Sequence, residues 1–234
     1  SSENRAILTG DILHSEPLVF RYSYPDGSTK SYVFFGSNDG MLHAVYDESV
    51  AANSTGAVHY GTEAWAFIPP DLLPRLKEVI EGSSHAYYVD ASPKVYFKDL
   101  DQNGLLDPGD RVVLVCGERK GGSSYFALDI TDPANPNFLW RIDAGSTGPV
   151  APNVVIPELG QSWSEPQFGV VKTSDVDTVG TPVFFIGGGF SADNSSGRAV
   201  LAIDIFSGAV VRIFKNEGTL LGMNYAVPSS VALF

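Results

Sequence analysis

Short apolar segments separated by turn-forming residues recur along the chain in a fixed order. Four of these segments are opened by a combination of serine and proline. They are HSEPLVF at 14–20, ASPKVYF at 91–97, WSEPQFGVV at 163–171 and, in altered order, VPSSVALF at 227–234. The equivalent serines are Ser15, Ser92, Ser164 and Ser229, at intervals of 77, 72 and 65 residues. This regular spacing indicates an internal structural repeat.

Each of the first three Ser/Pro segments is followed by three further apolar segments of constant character. The first ends in glycine (YVFFG, VVLVCG and VFFIGG), and the second combines small, aliphatic and acidic residues (LHAVYD, YFALDI and VLAIDI). The third alternates aromatic or basic residues (AWAFI, FLWRI and VVRIF). Turn-forming sequences such as SNDG at 37–40 and DPANP at 132–136 join the segments. The pattern predicts four short strands per repeat, arranged as an antiparallel meander.

A repeated unit of four short strands is typical of a β-propeller blade. We therefore predict an all-β fold: a modified β-propeller arc of about three four-stranded blades plus the start of a fourth. We interpret residues 1–234 as a single domain, with blade-like units at about 11–90, 91–162 and 163–226 and the next unit starting at 227–234. Because propellers contain at least about four blades, we expect the arc to belong to a larger ring. A β-sandwich would explain the strands but not the ordered four-part repeat.

One segment departs from the strand pattern. The sequence PPDLLPRLKEVIEG at 69–82 places apolar residues at helical spacing. Asp71 can cap its start and Gly82 its end, and Pro74 falls in the first turn, where its missing N–H is tolerated. The segment predicts one short helix inserted between blades.

Composition and charge narrow the class of protein. The chain is 44% hydrophobic and 18% charged, which is typical of a folded globular protein. Its net charge of −12 argues against a nucleic-acid-binding surface. No run of about 18 apolar residues is present, so we expect no membrane span. The start at SSENRAILTG lacks the features of a signal peptide, and we expect the chain to be part of a longer protein, so this says nothing about export.

The residues that most often carry catalysis form no recognisable set. Cys116 is the single cysteine, and its position in VVLVCG predicts a buried strand thiol. The four histidines are scattered without zinc-ligand spacing, and His43 is interpreted as a strand residue with satisfied hydrogen bonds. No GxSxG turn is present. We read Glu16 and Glu165, which occupy equivalent SEP positions, as a repeated structural device, and we predict that the chain is not an enzyme.

The segment DLDQNGLLDPGD, from Asp99 to Asp110, has the pattern of a twelve-residue calcium loop. Glycine at the sixth position permits the sharp turn, and Leu106 is the apolar residue that anchors the loop. Carboxylate and carbonyl oxygens in this number suit Ca²⁺ better than Mg²⁺ or a transition metal. The candidate ligands are Asp99, Asp101, Asn103, the backbone carbonyl of Leu105, Asp107 and Asp110.

Two features distinguish this loop from a helical EF-hand. Asp110 stands where a bidentate glutamate is usual, so it can reach the ion only singly, through water, or not at all. The flanking sequences KVYFK and RVVLVCG are strand-like, which places the loop in a β-hairpin. A solvated, Asx-rich turn without metal is the alternative interpretation.

Several phrases together resemble the C-terminal domain of the PilY/PilC family of type IV pilus biogenesis proteins. They include GDILHSEPLVF, YVFFGSNDGMLHAVYD, AWAFIPPDLLPRL, GGSSYFALDITDPANPNFLW, SWSEPQFG and AIDIFSGAVVRIF, and the resemblance covers residues 8–234. It implies a modified β-propeller on an exported protein at the pilus tip, the outer cell surface or the periplasm of a bacterium. Such a protein promotes pilus extension, regulates retraction, and serves in twitching motility and attachment.

The same resemblance implies partners and a cofactor. The expected partners are type IV pilus components, either minor or major pilins, together with a host or surface receptor. The expected cofactor is Ca²⁺, because members of the family carry EF-hand-like calcium loops. The ligands carried over to this sequence are Asp99, Asp101, Asn103, Leu105 and Asp107.

Two other functions remain open from the sequence. FALDITDPANPNFLWRI and its two related repeats also resemble blades of quinoprotein dehydrogenases, which bind pyrroloquinoline quinone. Those enzymes typically present an adjacent cysteine pair at the cofactor, whereas Cys116 stands alone. A surface lectin that uses loops at one end of the blades is the other alternative.

Overall fold

The computed structural model describes residues 9–47, 60–81, 84–145, 153–172, 174, 176, 178–215 and 223–233. Within these residues the chain forms three β-sheets, which we call blades 1, 2 and 3 in chain order. The all-β propeller arc that the repeat predicts is confirmed. None of the helices in the described part of the chain is long and apolar enough to cross a membrane.

Each blade begins with the strand that a Ser/Pro segment opens, and its strands follow in chain order. Blade 1 contains β1 (Leu18–Ser23), β2 (Thr29–Gly36), β3 (Leu42–Tyr46) and β4 (Glu63–Phe67). Blade 2 contains β5 (Lys94–Lys98), β6 (Arg111–Gly117), β7 (Tyr125–Asp129), β8 (Asn137–Asp143) and β9 (Asn153–Val155). Blade 3 contains β10 (Gln167–Val171), β11 (Thr181–Gly187), β12 (Ala199–Asp204) and β13 (Val210–Lys215).

Blade 2 differs from the predicted four-stranded unit by its fifth strand. The short strand β9 pairs in parallel with β8, whereas the other strand pairs in the three blades are antiparallel. A three-residue strand is too short to give a period-two pattern in the sequence, so the pattern did not predict it.

The recurring serine and glycine of the repeat contact each other. Ser15 Oγ accepts a hydrogen bond from the backbone N–H of Gly36 at 2.8 Å. Ser164 Oγ accepts the equivalent bond from Gly187 in blade 3, also at 2.8 Å. In both blades the serine before the first strand therefore satisfies the N–H at the end of the second strand. The glycine is required because its backbone passes so close to a neighbour that a Cβ on Gly36 would lie 2.2 Å from the Val89 carbonyl oxygen.

Neighbouring blades pack face to face through two apolar cores. The first core lies between blades 1 and 2 and includes Tyr22, Phe34, Leu114, Phe126 and Leu128. The second lies between blades 2 and 3 and includes Val113, Tyr125, Trp140, Phe184 and Leu201. Alternate residues of the central strands of blade 2 thus face opposite cores, as period-two strands buried on both faces require.

The segment between blades 1 and 2 is helical, but its start is not capped as predicted. A 3₁₀ turn at Leu73–Arg75 contains Pro74 and leads into the helix α1 (Leu76–Glu81). The residue preceding the turn is Leu72, and no side chain caps it, so the prediction that Asp71 caps the helix is wrong. The Asp71 carboxylate is instead bound by blade 2, because Ser124 Oγ donates to its Oδ2 at 2.5 Å. Gly82, the predicted end, lies outside the described residues.

Candidate metal centre

The loop from Asp99 to Asp110 joins two paired strands of blade 2, as the sequence predicts. β5 and β6 are antiparallel, and Lys98 pairs with Arg111 at the base of the loop. The anchoring residue Leu106 is buried in the core between blades 1 and 2, and its N–H donates to the Ser23 carbonyl oxygen at 2.7 Å. The hairpin therefore fixes both ends and the middle of the loop, while Asp101 at its tip is exposed to solvent.

Three residues of the loop have positive φ, and one of them is Gly109 near its end, with a φ of 103°. Gln102 has a φ of 60° and Gly104 has a φ of 78°. Such backbone is accessible to glycine at little cost, so Gly104 provides the sharp turn expected at the sixth position of a calcium loop. No atom lies within 4 Å of a Cβ placed there, so backbone conformation rather than space accounts for the glycine.

The carboxylate of Asp99 closes the first half of the loop. Its Oδ1 accepts from the Gln102 N–H at 2.6 Å and its Oδ2 accepts from the Gly104 N–H at 2.7 Å. Desolvation would raise the pKa of Asp99, but the hydrogen bonds from Gly104 and Gln102 outweigh it and hold that pKa below its usual value. Asp99 therefore stays ionised at neutral pH, which is the form that binds a cation.

Three predicted ligands meet at the exposed tip of the loop. Asn103 Nδ2 donates to Asp101 Oδ2 at 2.8 Å and to Asp107 Oδ2 at 3.0 Å. The backbone N–H of Asn103 also donates to Asp101 Oδ1 at 3.2 Å. The fold thus directs two carboxylates toward one polar group. The N–H of Leu105, two residues further on, donates to Asn103 Oδ1 at 2.6 Å.

Asp110 has a different environment from the other candidates. It is 4% exposed, and both of its oxygens accept backbone hydrogen bonds, from Leu100 at 2.9 Å and from Asp107 at 3.1 Å. The side chain therefore ties the two ends of the loop together. Its role as a sixth or outer ligand stays a prediction.

The donor chemistry of the loop fits Ca²⁺, although the side chains are not gathered as a complete coordination shell. Carboxylate, amide and carbonyl oxygens are the ligands that Ca²⁺ prefers. The shared contact of Asp101 and Asp107 with Asn103 brings acidic groups to one point. Within the described residues, however, no three His, Cys, Asp or Glu side chains form a group that could hold a metal ion. The ligand set therefore stays a prediction.

The predicted role of the Glu16 and Glu165 positions as a repeated device is confirmed. The Glu16 N–H donates to Ser92 Oγ, and the Glu165 N–H donates to Ser230 Oγ, each at 3.2 Å. Each SEP motif thus hydrogen-bonds to a serine of the segment that opens the next unit, and in the last segment this serine is Ser230, one residue after the Ser229 that the spacing predicted. Residues of the four Ser/Pro segments line a pocket of about 580 Å³ together with Arg119.

Two further sequence interpretations are confirmed. Cys116 is fully buried in β6. His43 is 1% exposed and has both ring nitrogens occupied, Nδ1 by Glu63 at 2.7 Å and Nε2 by Asp39 at 3.1 Å. Both are structural residues of their strands.

The sequence missed a buried polar cluster. Glu118 and Arg141, both almost inaccessible to solvent, lie in blade 2 close to Asp71 of the helical segment. The three residues come from positions far apart in the chain and carry no shared motif. Only the long-range packing of the helical segment on blade 2 brings them together.

Comparison with known proteins places the chain in a family. Residues 20–229 match the PilY1 beta-propeller domain. The type IV pilus biogenesis factor PilY1 of Pseudomonas aeruginosa PAO1 is 29% identical over 238 residues, covering 92% of this chain and 18% of the relative. A PilY1 homolog of Xylella fastidiosa is 28% identical over 249 residues, covering 97% of this chain and 18% of the relative.

A solved structure agrees with this placement. The crystal structure of the Pseudomonas aeruginosa PilY1 C-terminal domain matches with a TM-score of 0.51 and 30% sequence identity, covering 83% of this chain and 32% of that chain. By length, the chain spans only 18% of each of the two curated relatives named above. The match of the family over nearly all of the blades establishes that the chain belongs to the PilY1 beta-propeller domain family of type IV pilus biogenesis factors.

Proposed function

We propose that this chain is the calcium-binding propeller domain of an exported type IV pilus biogenesis protein. The protein acts at the pilus tip, at the outer cell surface or in the periplasm, where it promotes pilus extension and regulates retraction, twitching motility and attachment. The family assignment supports the pilus role. The observation that carries the calcium role is the convergence of Asp101 and Asp107 on Asn103 at the tip of the hairpin.

Calcium would be held by Asp99, Asp101, Asn103, Leu105 and Asp107, and it would supply positive charge where the loop carries several carboxylates. These carboxylates repel one another in the metal-free loop, and hydrogen bonds from backbone amides and from Asn103 offset only part of that repulsion. A bound divalent ion removes the repulsion and stiffens the hairpin of β5 and β6. An exposed loop without helical flanks suits an affinity of about 10⁻⁶ to 10⁻³ M.

The partners of the β5–β6 hairpin are pilus components. We propose that the stiffened hairpin presents an edge to minor or major pilins, and that a surface or host receptor is contacted elsewhere on the exported protein. The net charge of −12 favours protein partners over nucleic acid. The hairpin itself remains anchored in the core by Leu106, so calcium can change the tip without unfolding the blade.

We further propose that the domain has no catalytic activity. The relatives are named as biogenesis factors, and the single cysteine, Cys116, is buried rather than presented to a cofactor. Burial raises the pKa of its thiol far above the usual value, so it is a poor nucleophile. The chain supplied with pyrroloquinoline quinone and a dye acceptor should show no turnover with alcohols or sugars, and turnover would overturn the assignment.

The function is tested in cells by a double variant of the full-length protein. Asp99→Ala with Asp101→Ala should leave the protein folded and exported but alter pilus number or twitching, because the loop loses two calcium ligands. The matched control is Asp193→Ala, which removes an exposed aspartate that hydrogen-bonds within another loop of the same domain. Normal pilus counts and normal motility in the double variant, at wild-type abundance, would refute the regulatory role of calcium.

A further inference from the structure

The polar cluster between the helical segment and blade 2 contains more acid than base. Arg141 Nη2 contacts Asp143 Oδ2 at 2.7 Å, and its Nη1 contacts Asp71 Oδ1 at 3.2 Å. These two aspartates balance the charges of Arg141 and of Arg75, which lies on the wall of the adjoining cavity. Glu118 adds a third carboxylate; it is 0% exposed and lines the same cavity as Asp71. A buried group with this excess of negative charge would be strongly unfavourable.

The atoms around Glu118 lack the donors that an ionised carboxylate requires. Neither of its oxygens accepts a well-aligned hydrogen bond, and the same is true of Asp71 Oδ1. Arg141 Nε and Nη1 are likewise buried without an aligned acceptor, so the 3.2 Å contact of Nη1 with Asp71 is an ion pair and not a hydrogen bond. The Ser124 backbone N–H lies close enough to favour ionised Glu118, but it is a single donor. A Cβ on Gly122 would lie 1.8 Å from Glu118 Oε2, so the backbone of the 118–124 loop packs directly on the carboxyl group. One hydrogen between Glu118 and Asp71 would provide the missing donor.

A proton explains this cluster better than a metal ion. The adjoining cavity measures about 280 Å³, but Arg75 lies on its wall and Arg141 is already in contact with two of the acids. Both guanidinium groups would repel a bound cation. In the described part of the chain, the acidic side chains also form no group of three that could hold a metal. Neutralisation of the third carboxylate by protonation needs no additional space.

We propose that Glu118 and Asp71 share one proton, and that this shared proton fastens the helical segment 69–81 to blade 2. Protonated Glu118 donates to Asp71 Oδ1, while Ser124 Oγ donates to Oδ2 at 2.5 Å. Loss of the proton places two ionised carboxylates in contact, and Asp71 and its segment are then repelled from the blade. The ionisable or polar groups around the pair are Asp71, Arg75, Glu118, Ser124, Arg141 and Asp143.

The direction of the pH effect follows from this geometry. Burial raises the pKa of Glu118 well above its usual value, the Asp71 carboxylate raises it further, and Arg141 opposes these effects. The folded protein therefore keeps this proton at pH values where the unfolded chain has lost it. Stability is fully present below the ordinary glutamate pKa and is lost as the pH rises through the folded value.

The test compares the native 234-residue chain with Glu118→Gln in denaturant titrations from pH 4 to pH 9. Glutamine keeps the shape of the protonated acid and a donor toward Asp71, but it cannot ionise. We expect the folding equilibrium constant of the native chain, divided by that of E118Q, to fall about tenfold per pH unit between the unfolded and folded pKa values. Glu158→Gln, which removes an acid paired with Lys215, should keep the native profile above pH 6, because the lowered pKa of Glu158 affects only the acid end. A constant ratio between native and E118Q would overturn the proposal.

A local measurement separates the effect of the proton shared by Glu118 and Asp71 from a general effect of pH on stability. Amide hydrogen exchange, corrected for the intrinsic pH dependence, should show opening of 71–79 increasing with pH in the native chain but not in E118Q. If E118Q fails to fold, Asp71→Asn takes its place. Removing the neighbouring charge should then shift the loss of stability to lower pH. An unchanged profile in D71N would overturn the proposal.

Titrations with added cations test whether a bound cation, rather than a proton, neutralises Glu118. These titrations use the background of Asp99→Ala with Asp101→Ala, which disables the predicted loop site, at constant ionic strength and pH 7. Addition of 100 mM Na⁺, 100 mM K⁺ or 5 mM Ca²⁺ should not change the difference in the free energy of unfolding between the protein with Glu118 and E118Q. Glu118-dependent stabilisation by one of these ions would identify a cation site and overturn the shared proton.

Discussion

Trp140 Nε1 donates a hydrogen bond at 2.9 Å to the backbone carbonyl oxygen of Ile205, across the interface between blades 2 and 3. Trp65 makes the equivalent contact between blades 1 and 2, to the Pro133 carbonyl oxygen at 2.8 Å. Both indoles lie in the fourth strand of their blade, opposite an alanine of the third strand, and the register shifts next to each pair. The repeat thus places an indole hydrogen bond within each apolar interface.

The same position in blade 3 is Arg212, which pairs with Ala202 next to the equivalent register shift. An arginine retains an N–H donor at the position of the indole while adding a charge. The substitution therefore marks the face of blade 3 as more polar than the two interfaces between the described blades.

Removal of the indole N–H should weaken the packing of blades 2 and 3. Trp140→Phe keeps an aromatic ring but leaves the buried Ile205 carbonyl without its donor, so we expect a loss of about 1 to 3 kcal/mol in the free energy of unfolding. Urea denaturation measures this loss. Trp163→Phe is the control, because Trp163 Nε1 bonds only a partly buried Gln161 side chain two residues away. Equal losses in the two variants would contradict the interface role.

His43 should make stability depend on pH above about pH 6.5. Burial alone would lower its pKa, but the carboxylates of Asp39 and Glu63 outweigh burial and raise the pKa above the usual value. The stabilisation is therefore complete below about pH 6.5, the value in unfolded chains, and is lost as the pH rises through the folded value. His43→Gln should flatten this part of the profile, as measured by thermal unfolding. The exposed pair of His85 with Asp11 provides the control variant, His85→Gln. Persistence of the native profile in H43Q would show that other groups produce it.

Asp110 should behave as a structural residue even without calcium. Its two oxygens hold the N–H groups of Leu100 and Asp107, so Asp110→Ala leaves these donors unpaired at the base of the loop. We expect the metal-free protein to lose about 1 to 3 kcal/mol of stability. Asp101→Ala, at the exposed tip, should cost much less under the same chelating conditions. Denaturation in excess chelator compares the two variants. Equal losses of stability would contradict a structural role for Asp110 that Asp101 does not share.

The strands and the calcium-like loop could be predicted because their signals are local. Alternating apolar residues, glycine at strand ends and aspartates at fixed spacing depend on neighbours within a few residues. The side-chain role of Asp71 could not be predicted in this way. A cap is the local use of such a residue, but Ser124 and Arg141 of blade 2 bind the carboxylate in the folded protein. The contact of Glu118 with Asp71 has the same origin, since it arises only when segment 69–81 packs on the blade.

The calcium role of the hairpin is tested most directly by calorimetry of the 234-residue chain titrated with Ca²⁺. We expect one ion per chain with a dissociation constant of about 10⁻⁶ to 10⁻³ M. The heat should disappear in Asp99→Ala and in Asp101→Ala and should persist in Asp193→Ala. An isotherm that is unchanged in both loop variants, or the absence of any calcium heat in the native chain, would contradict the assignment of the loop as a calcium site.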